Sequence, residues 1–250
     1  MMKKCNLSIV LALYNEASHL KASFQEIIEV LAKTNWDWEV ILVDDKSTDR
    51  TLEILEKILQ ENPNLKIKTI LHSQNTGRGK TVADGMKIAE GEVVGFLDVD
   101  LEVSPIYIPE FAQKILEGAD MAIGQRLYKF SCRSLVRYIT TRGYSFLVHF
   151  LFKLPFQDTE AGYKFFRRSK VLPLLEEIKD WGWFWDSECV VRAYLRNFKI
   201  SPIPVVYTRN FNKKSTVRIL PDTINYFKKL FKFYREIRKK NEKGLQRNRA

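Results

Sequence analysis

Cysteine is scarce in this 250-residue chain: the three present, Cys5, Cys132 and Cys189, are odd in number and far apart. That spacing builds neither a disulfide framework nor a zinc site, and a reducing compartment is the simplest reading. Long apolar runs are missing too. The longest beyond the start, Phe146–Leu154, is broken by His149 and Lys153, far short of the ~18 apolar residues that span a bilayer. The start itself, with two lysines before the apolar Leu7–Tyr14, is too short for a signal segment and lacks a small-residue cleavage site. It reads as a first strand. Together these absences predict a soluble or peripheral protein.

No repeat and no linker rich in Gly, Ser or Pro divides the chain. One main domain over 1–220 is expected, followed by a basic helix and tail over 221–250. The composition, 45% hydrophobic and 28% charged, excludes wholesale disorder and collagen-like architectures. The net charge of +11 is uneven, because ten basic and two acidic residues fall between Lys228 and Ala250. A basic tail therefore has to be explained apart from the fold.

The first half alternates strand and helix patterns. Strands are expected at Leu7–Leu13, Glu39–Val43, Ile67–Leu71, Val93–Leu97 and Met121–Gly124. Helices fit Ser18–Lys33, Thr51–Gln60, Gly79–Glu90 and Ile106–Glu117. Continuously apolar strands joined by helices predict an α/β fold with a mostly parallel sheet covered on both faces. The second half is less regular. Arg133–Leu154 mixes basic and apolar residues, Pro202–Tyr207 reads as a strand, and Pro221–Lys240 as an amphipathic helix.

Ligands of such sheets bind beyond the carboxyl ends of the strands. Four successive strands here end in polar clusters: Tyr14-Asn15-Glu16, Asp44 to Asp49, Asn75 to Lys80, and Asp98-Val99-Asp100-Leu101-Glu102. Two carboxylates at i and i+2, Asp98 and Asp100, can hold one hard divalent cation and leave positions for phosphate oxygens. Gly77-Arg78-Gly79-Lys80-Thr81 resembles a P-loop superficially, but Gln74 stands where that motif needs its first glycine. A loop whose backbone amides and Arg78 or Lys80 approach a phosphate explains it better.

Taken together, these motifs resemble the family 2 glycosyltransferases of the GT-A fold, in particular the dolichyl- or polyprenyl-phosphate hexosyltransferases. The likeness runs through Tyr14–Glu16, Val43–Thr51, Asn75–Lys80, Leu97–Leu101, Gly124–Arg126, Gln157–Arg167 and Trp183–Glu188, and covers the chain to about Asp222. Each motif is weak alone; seven in the family's order are specific.

The resemblance implies roles. Tyr14 and Glu16, with Asp44 or Asp45, hold the donor's nucleoside, and Lys80 serves the nucleotide sugar. Asp98 and Asp100, with Glu102 as a third ligand, hold Mg2+ or Mn2+ on the diphosphate. Arg126 and Arg137 grip the acceptor phosphate, and Asp98, Asp100 and Arg126 make up the catalytic set. Thr216 stands where family members often carry a lysine, so Lys214 or Arg218 takes the donor phosphates. Lys46 replaces the usual glycine of Asp-Asp-Gly-Ser.

The expected reaction is inverting transfer of a hexose from GDP-mannose or UDP-glucose to a polyprenyl or dolichyl phosphate. That acceptor is already anionic and needs no general base. A glycan or lipopolysaccharide hydroxyl is the alternative acceptor, with a base to be sought at Asp158 or in Trp185–Glu188. The partners expected are the donor, the lipid phosphate, a membrane surface on its cytoplasmic side and a membrane-anchoring protein. Contact would run through interfacial helices over 133–154 and the basic tail. A basic membrane- or RNA-binding protein without catalysis is the rival of another class. The acidic strand ends argue against nucleic acid there.

Overall fold

A computed structural model describes residues 6–128, 135–208 and 219–247. The strands are β1 (Asn6–Leu13), β2 (Asp37–Asp44), β3 (Ile67–Leu71), β4 (Val93–Leu97), β5 (Met121–Tyr128), β6 (Tyr163–Arg167) and β7 (Ile200–Tyr207). The helices are α1 (Leu20–Ala32), α2 (Thr51–Glu61), α3 (Arg78–Ile88), α4 (Ile108–Leu116), α5 (Leu135–Phe152), α6 (Arg168–Leu175), α7 (Trp185–Leu195) and α8 (Ile219–Arg247).

One seven-stranded sheet runs in the order β3-β2-β1-β4-β6-β5-β7. β1 pairs in parallel with β2 and β4, β2 with β3, and β5 with β7. The alternation of side chains along β1 sends Leu7, Ile9, Leu11 and Leu13 into one core with Leu20, Phe24, Ile27 and Leu31 of α1, Leu55 and Ile58 of α2, and Phe111 of α4. The opposite face is covered as well: α3 packs on β1 and β2 and buries Val82, Ala83 and Met86. Both faces are therefore dry, as the unbroken apolar strands require.

β6 departs from the expected strand–helix alternation. It enters between β4 and β5 and runs antiparallel to both. Behind it α7 begins with the fully buried Trp185, whose ring meets Phe96 of β4 edge-on at 5.4 Å. Such a pair contributes roughly 0.5–1.5 kcal/mol beyond its buried area.

The chain forms two compact units. The first carries the sheet with α1–α4, α6 and α7. The second carries α5 and α8, which pack through Tyr144 on Tyr226 and Phe152 on Phe233. The interfacial segment expected over 133–154 is a single helix within the described residues. Phe146 and Phe150 stack on its outside, 69% and 68% exposed. Among the described residues no helix is long and apolar enough to cross a membrane.

Candidate active site

The sheet order places the ends of β3, β2, β1 and β4 side by side, so the four polar clusters meet at one edge. The loop after β1 is fastened to the loop after β2. Asn15, at φ 57°, donates its N–H to Ser47 Oγ at 2.9 Å and accepts Thr48 N–H at 2.7 Å on its side-chain oxygen. Glu16 N–H reaches Thr51 Oγ1 at 2.8 Å. Tyr14 is left 42% exposed beside this knot. Lys46 takes φ 65°, which explains why the resembling family prefers glycine at that place.

Asp44 and Asp45 are both buried but differ in what they hold. Asp45 accepts Thr76 N–H (2.7 Å), Thr76 Oγ1 (2.8 Å) and Gly77 N–H (2.9 Å), and its Oδ1 lies 2.9 Å from His72 Nδ1. Burial pushes its carboxyl upward, yet these hydrogen bonds outweigh it and hold the group below its usual range. The amides at 76 and 77, which a P-loop would offer to phosphate, are occupied by a carboxylate. Asp44 accepts Ser47 N–H at 2.9 Å on Oδ2, while its Oδ1 is buried with no hydrogen-bond partner. Of the two, Asp44 keeps an unmet acceptor.

α3 starts at Arg78, after Gly77 at φ 95°, where a Cβ would come within 2.7 Å of the Trp181 carbonyl oxygen. Lys80 runs along the helix to pair with Asp84. It is Arg78 that reaches Asp98, through Nε at 3.1 Å and Nη2 at 2.6 Å, both to Oδ1.

Asp98 leaves β4 with its side chain 46% exposed. Val99 is buried behind it, Leu101 turns the chain at φ 46°, and Glu102 N–H lies 3.5 Å from Asp100 Oδ1. Asp98 Oδ2 occupies the room left by the missing side chain of Gly162. Among the described residues no three His, Cys, Asp or Glu side chains form a ready-made metal cage. Asp98 and Asp100 at the end of β4 are the carboxylates that could hold a hard divalent ion, with phosphate and water oxygens completing its shell.

Glu102 Oε2 accepts the Tyr207 hydroxyl, and the Tyr207 ring lies 5.7 Å from the Arg126 guanidinium carbon. Arg126, on β5, is 3.9 Å from Glu160. Arg137 belongs to α5, in the second unit, and its side chain lies outside the described residues, as do Lys214 and Arg218 altogether. Asp158 is buried.

Two contributors have no role in the sequence reading, Gly162 and Lys164, and Asp186 enters it only as a possible base. Lys164 is fully buried and bonds Asp186 Oδ1 at 2.6 Å, while Asp186 Oδ2 takes Arg78 Nη1 at 2.5 Å. Their signal was a lysine inside the apolar run Tyr163–Phe166, since a buried cation demands a buried anion.

The family model "Glycosyl transferase family 2" matches residues 8–173, most of the chain and the whole row of strand ends. The chain belongs to glycosyltransferase family 2. Among the relatives of this family 2 chain is a dolichyl-phosphate beta-glucosyltransferase of Saccharomyces cerevisiae, 29% identical over 90% of this chain and 72% of that protein. Glycosyltransferase AglD of Haloferax volcanii is 28% identical over 80% of this chain but only 32% of its own length, so the chain spans about a third of that relative. In fold, the family 2 chain matches a mannosyltransferase of Pyrobaculum calidifontis in complex with GDP-Man and Mn2+. The TM-score is 0.60 at 15% identity, over 84% of this chain and 58% of that one. It also matches glucosyl-3-phosphoglycerate synthase of Mycobacterium tuberculosis with Mn2+, UDP and phosphoglyceric acid. There the TM-score is 0.69 at 18% identity, over 92% and 78%.

Proposed function

We propose that this chain is an inverting, metal-dependent hexosyltransferase. It moves a hexose from a nucleotide sugar, GDP-mannose or UDP-glucose, to a polyprenyl or dolichyl phosphate at the cytoplasmic membrane face. One observation supports the choice of acceptor: of the places a general base could occupy, Asp158 is buried and both acids of Trp185–Glu188 are already engaged. Asp186 is held between Lys164 and Arg78. Glu188 is buried and takes Arg192 at 2.6 Å with the N–H groups of Lys179 and Asp180. A hydroxyl acceptor needs a base with reach and a suitable pKa; a phosphate monoester brings its own charge.

In this reading Asp44 Oδ1 accepts an N–H or hydroxyl of the nucleoside, with Tyr14 and Glu16 around it. Asp98 and Asp100 hold Mg2+ or Mn2+, with Glu102 beside them, oriented by Tyr207. Such an ion, when bound, would offset the charge growing on the diphosphate leaving group. Arg126 takes the acceptor phosphate, for which the guanidinium fork is suited, and Lys80 adds positive charge for the donor; the parts expected of Arg137 and Lys214 rest on the family resemblance alone. The phosphate oxygen forms its bond to the anomeric carbon as the bond to the nucleoside diphosphate breaks. A single in-line displacement inverts the configuration, and no proton has to move.

The domain over 1–220 supplies this chemistry, and 221–250 supplies basic surface. Phe146 and Phe150, stacked on α5, and the groove along α8 lined by Lys228, Phe231, Lys232 and Arg235 are the apolar and basic groups that an anionic bilayer would attract. A membrane-anchoring protein partner would strengthen that hold.

The test is transfer from radiolabelled UDP-glucose and GDP-mannose, separately, into prenyl phosphate in vesicles, with Mn2+ or Mg2+ and then EDTA. EDTA-sensitive label in the lipid, absent for Asp100→Ala, is the expected result. Label in a glycan and none in lipid would overturn the acceptor.

A further inference from the structure

Two buried charges, Lys164 and Asp186, stand behind Arg78 and take no part in the steps above. Lys164 Nζ is bonded to the Ala161 carbonyl and to Asp186, and it lies 5.4 Å from the Phe96 ring centroid. Arg78 faces the same ring at 5.4 Å and Trp183 at 5.9 Å. Its guanidinium is shared between two carboxylates in unlike settings. Asp186 is buried and has Lys164 as a second cation, whereas Asp98 is nearly half exposed and stands at the ion-binding edge.

We propose that Asp186 is a positioning residue that keeps Arg78 at the donor site when Asp98 takes a divalent ion, so that Arg78 serves as a second fixed cation for the nucleoside diphosphate. This rests on the donor reading given above. Counted as charges, Asp98 and Asp186 balance Arg78 and Lys164. A nucleoside diphosphate carries more negative charge than one divalent ion cancels, and a second cation close by meets the excess. Arginine suits the task where lysine does not, because its planar fork can hold one carboxylate by one edge and release another. Asp186 supplies the edge that is not released, since Lys164 anchors it from below.

The arrangement gives Arg78 opposite effects on two ligands. Without nucleotide, Arg78 competes with the ion for Asp98. With nucleotide, Arg78 and the ion act together.

The experiment uses the full chain. Mn2+ binding without nucleotide is followed by the loss of the free Mn2+ EPR signal. UDP and GDP binding are followed by calorimetry at saturating Mn2+. Arg78→Met leaves Asp186 paired with Lys164, so no buried charge is stranded. It should bind Mn2+ alone about tenfold more tightly, and the better-bound nucleoside diphosphate about tenfold more weakly, than the unaltered chain. Asp186→Asn, which removes the charge drawing Arg78 away from Asp98, should weaken both ligands. Because that variant strands Lys164 and can unfold, the opposed pair of shifts in Arg78→Met decides alone. Both affinities falling together, or neither moving, would reduce Arg78 and Asp186 to a structural clamp and overturn the proposal. It also fails if neither protein binds Mn2+ alone. Failure of the unaltered chain to bind UDP or GDP would instead remove the donor reading, and this inference with it.

Discussion

The carboxylate of Asp98 stands where a side chain on residue 162 would have to be: a Cβ built on Gly162 falls 1.7 Å from Asp98 Oδ2. The Asp98 N–H also bonds the Gly162 carbonyl at 3.1 Å, so the two residues are held together from both sides. Gly162→Ala must therefore move Asp98 by an ångström or more. A displacement of that size costs about a hundredfold in rate. Sugar transfer by this variant, read beside its thermal melt, should drop by that factor while the melt stays cooperative. Unchanged transfer would show that Asp98 need not be where it is.

Lys46 sits exposed at φ 65°. A residue with a Cβ pays about 1–2 kcal/mol in the left-handed region, and glycine's greater freedom in the unfolded chain offsets part of that. Lys46→Gly should raise stability by about 0.5–1 kcal/mol in urea unfolding. A lower midpoint would mean that the lysine makes contacts worth more than the strain.

Asp45 and Glu39 both titrate below their ordinary range. Burial pulls each upward, but the bonds from His72, Thr76 and Gly77 on Asp45, and from Lys68, Ser8 and Glu90 N–H on Glu39, outweigh it. Such groups bind protons less readily folded than unfolded, so their contribution is complete above about pH 4–4.5. It drains away as the pH falls through the lower folded values. The urea midpoint should be flat from neutral pH to about 5 and fall below about 4. Asp45→Asn should cost about 2–3 kcal/mol at neutral pH and remove part of that acid slope.

Cys189 is wholly buried in α7, and burial pushes its thiol well above the usual range, more than nearby Lys164 lowers it. Only the thiolate reacts appreciably. The Cys189 peptide should remain unmodified after iodoacetamide treatment of the native chain at pH 8 and become fully modified in urea. Rapid native labelling would mean that α7 opens readily.

Phe146 and Phe150 are more than two-thirds exposed on α5. Each would bury roughly 1.5–3 kcal/mol of apolar surface on entering a bilayer boundary. The double variant Phe146→Ser, Phe150→Ser should lose at least tenfold in co-sedimentation with anionic vesicles and keep its melting temperature. Undiminished sedimentation would place the contact on other residues.

The half of the fold with clear periodicity was legible. β3 and β4 fall on the expected residues, and α1 to α4 fall within about two of theirs. β6 was missed because Tyr163-Lys164-Phe165-Phe166 is buried on both faces and shows no alternation. α7 escapes for a related reason: every residue from Trp185 to Ala193 is buried, the polar Asp186, Ser187, Glu188 and Arg192 included, so polarity along the sequence does not mark an outer face. At the site, the four strand ends could be read because each interrupts an apolar run. Asp44 and Asp45 could not be told apart, since adjacent carboxylates differ only in which backbone amides reach them. Asp186 was weighed as a base because its burial partner, Lys164, lies far off in the chain.

The antiparallel entry of β6 also bears on how the sheet can close. As the chain leaves the ribosome, β1 to β4 can assemble a half-sheet whose outer margin, β4, has no neighbour on that side. Arg78 and Asp98 both precede β6 in the chain. Only the much later emergence of Tyr163 to Asp186 zips that open margin and inserts the lysine and aspartate that hold the arginine. The strand that closes the sheet against the direction of β4 is thus also the one that carries Lys164, and with it the hold on Asp186 and Arg78.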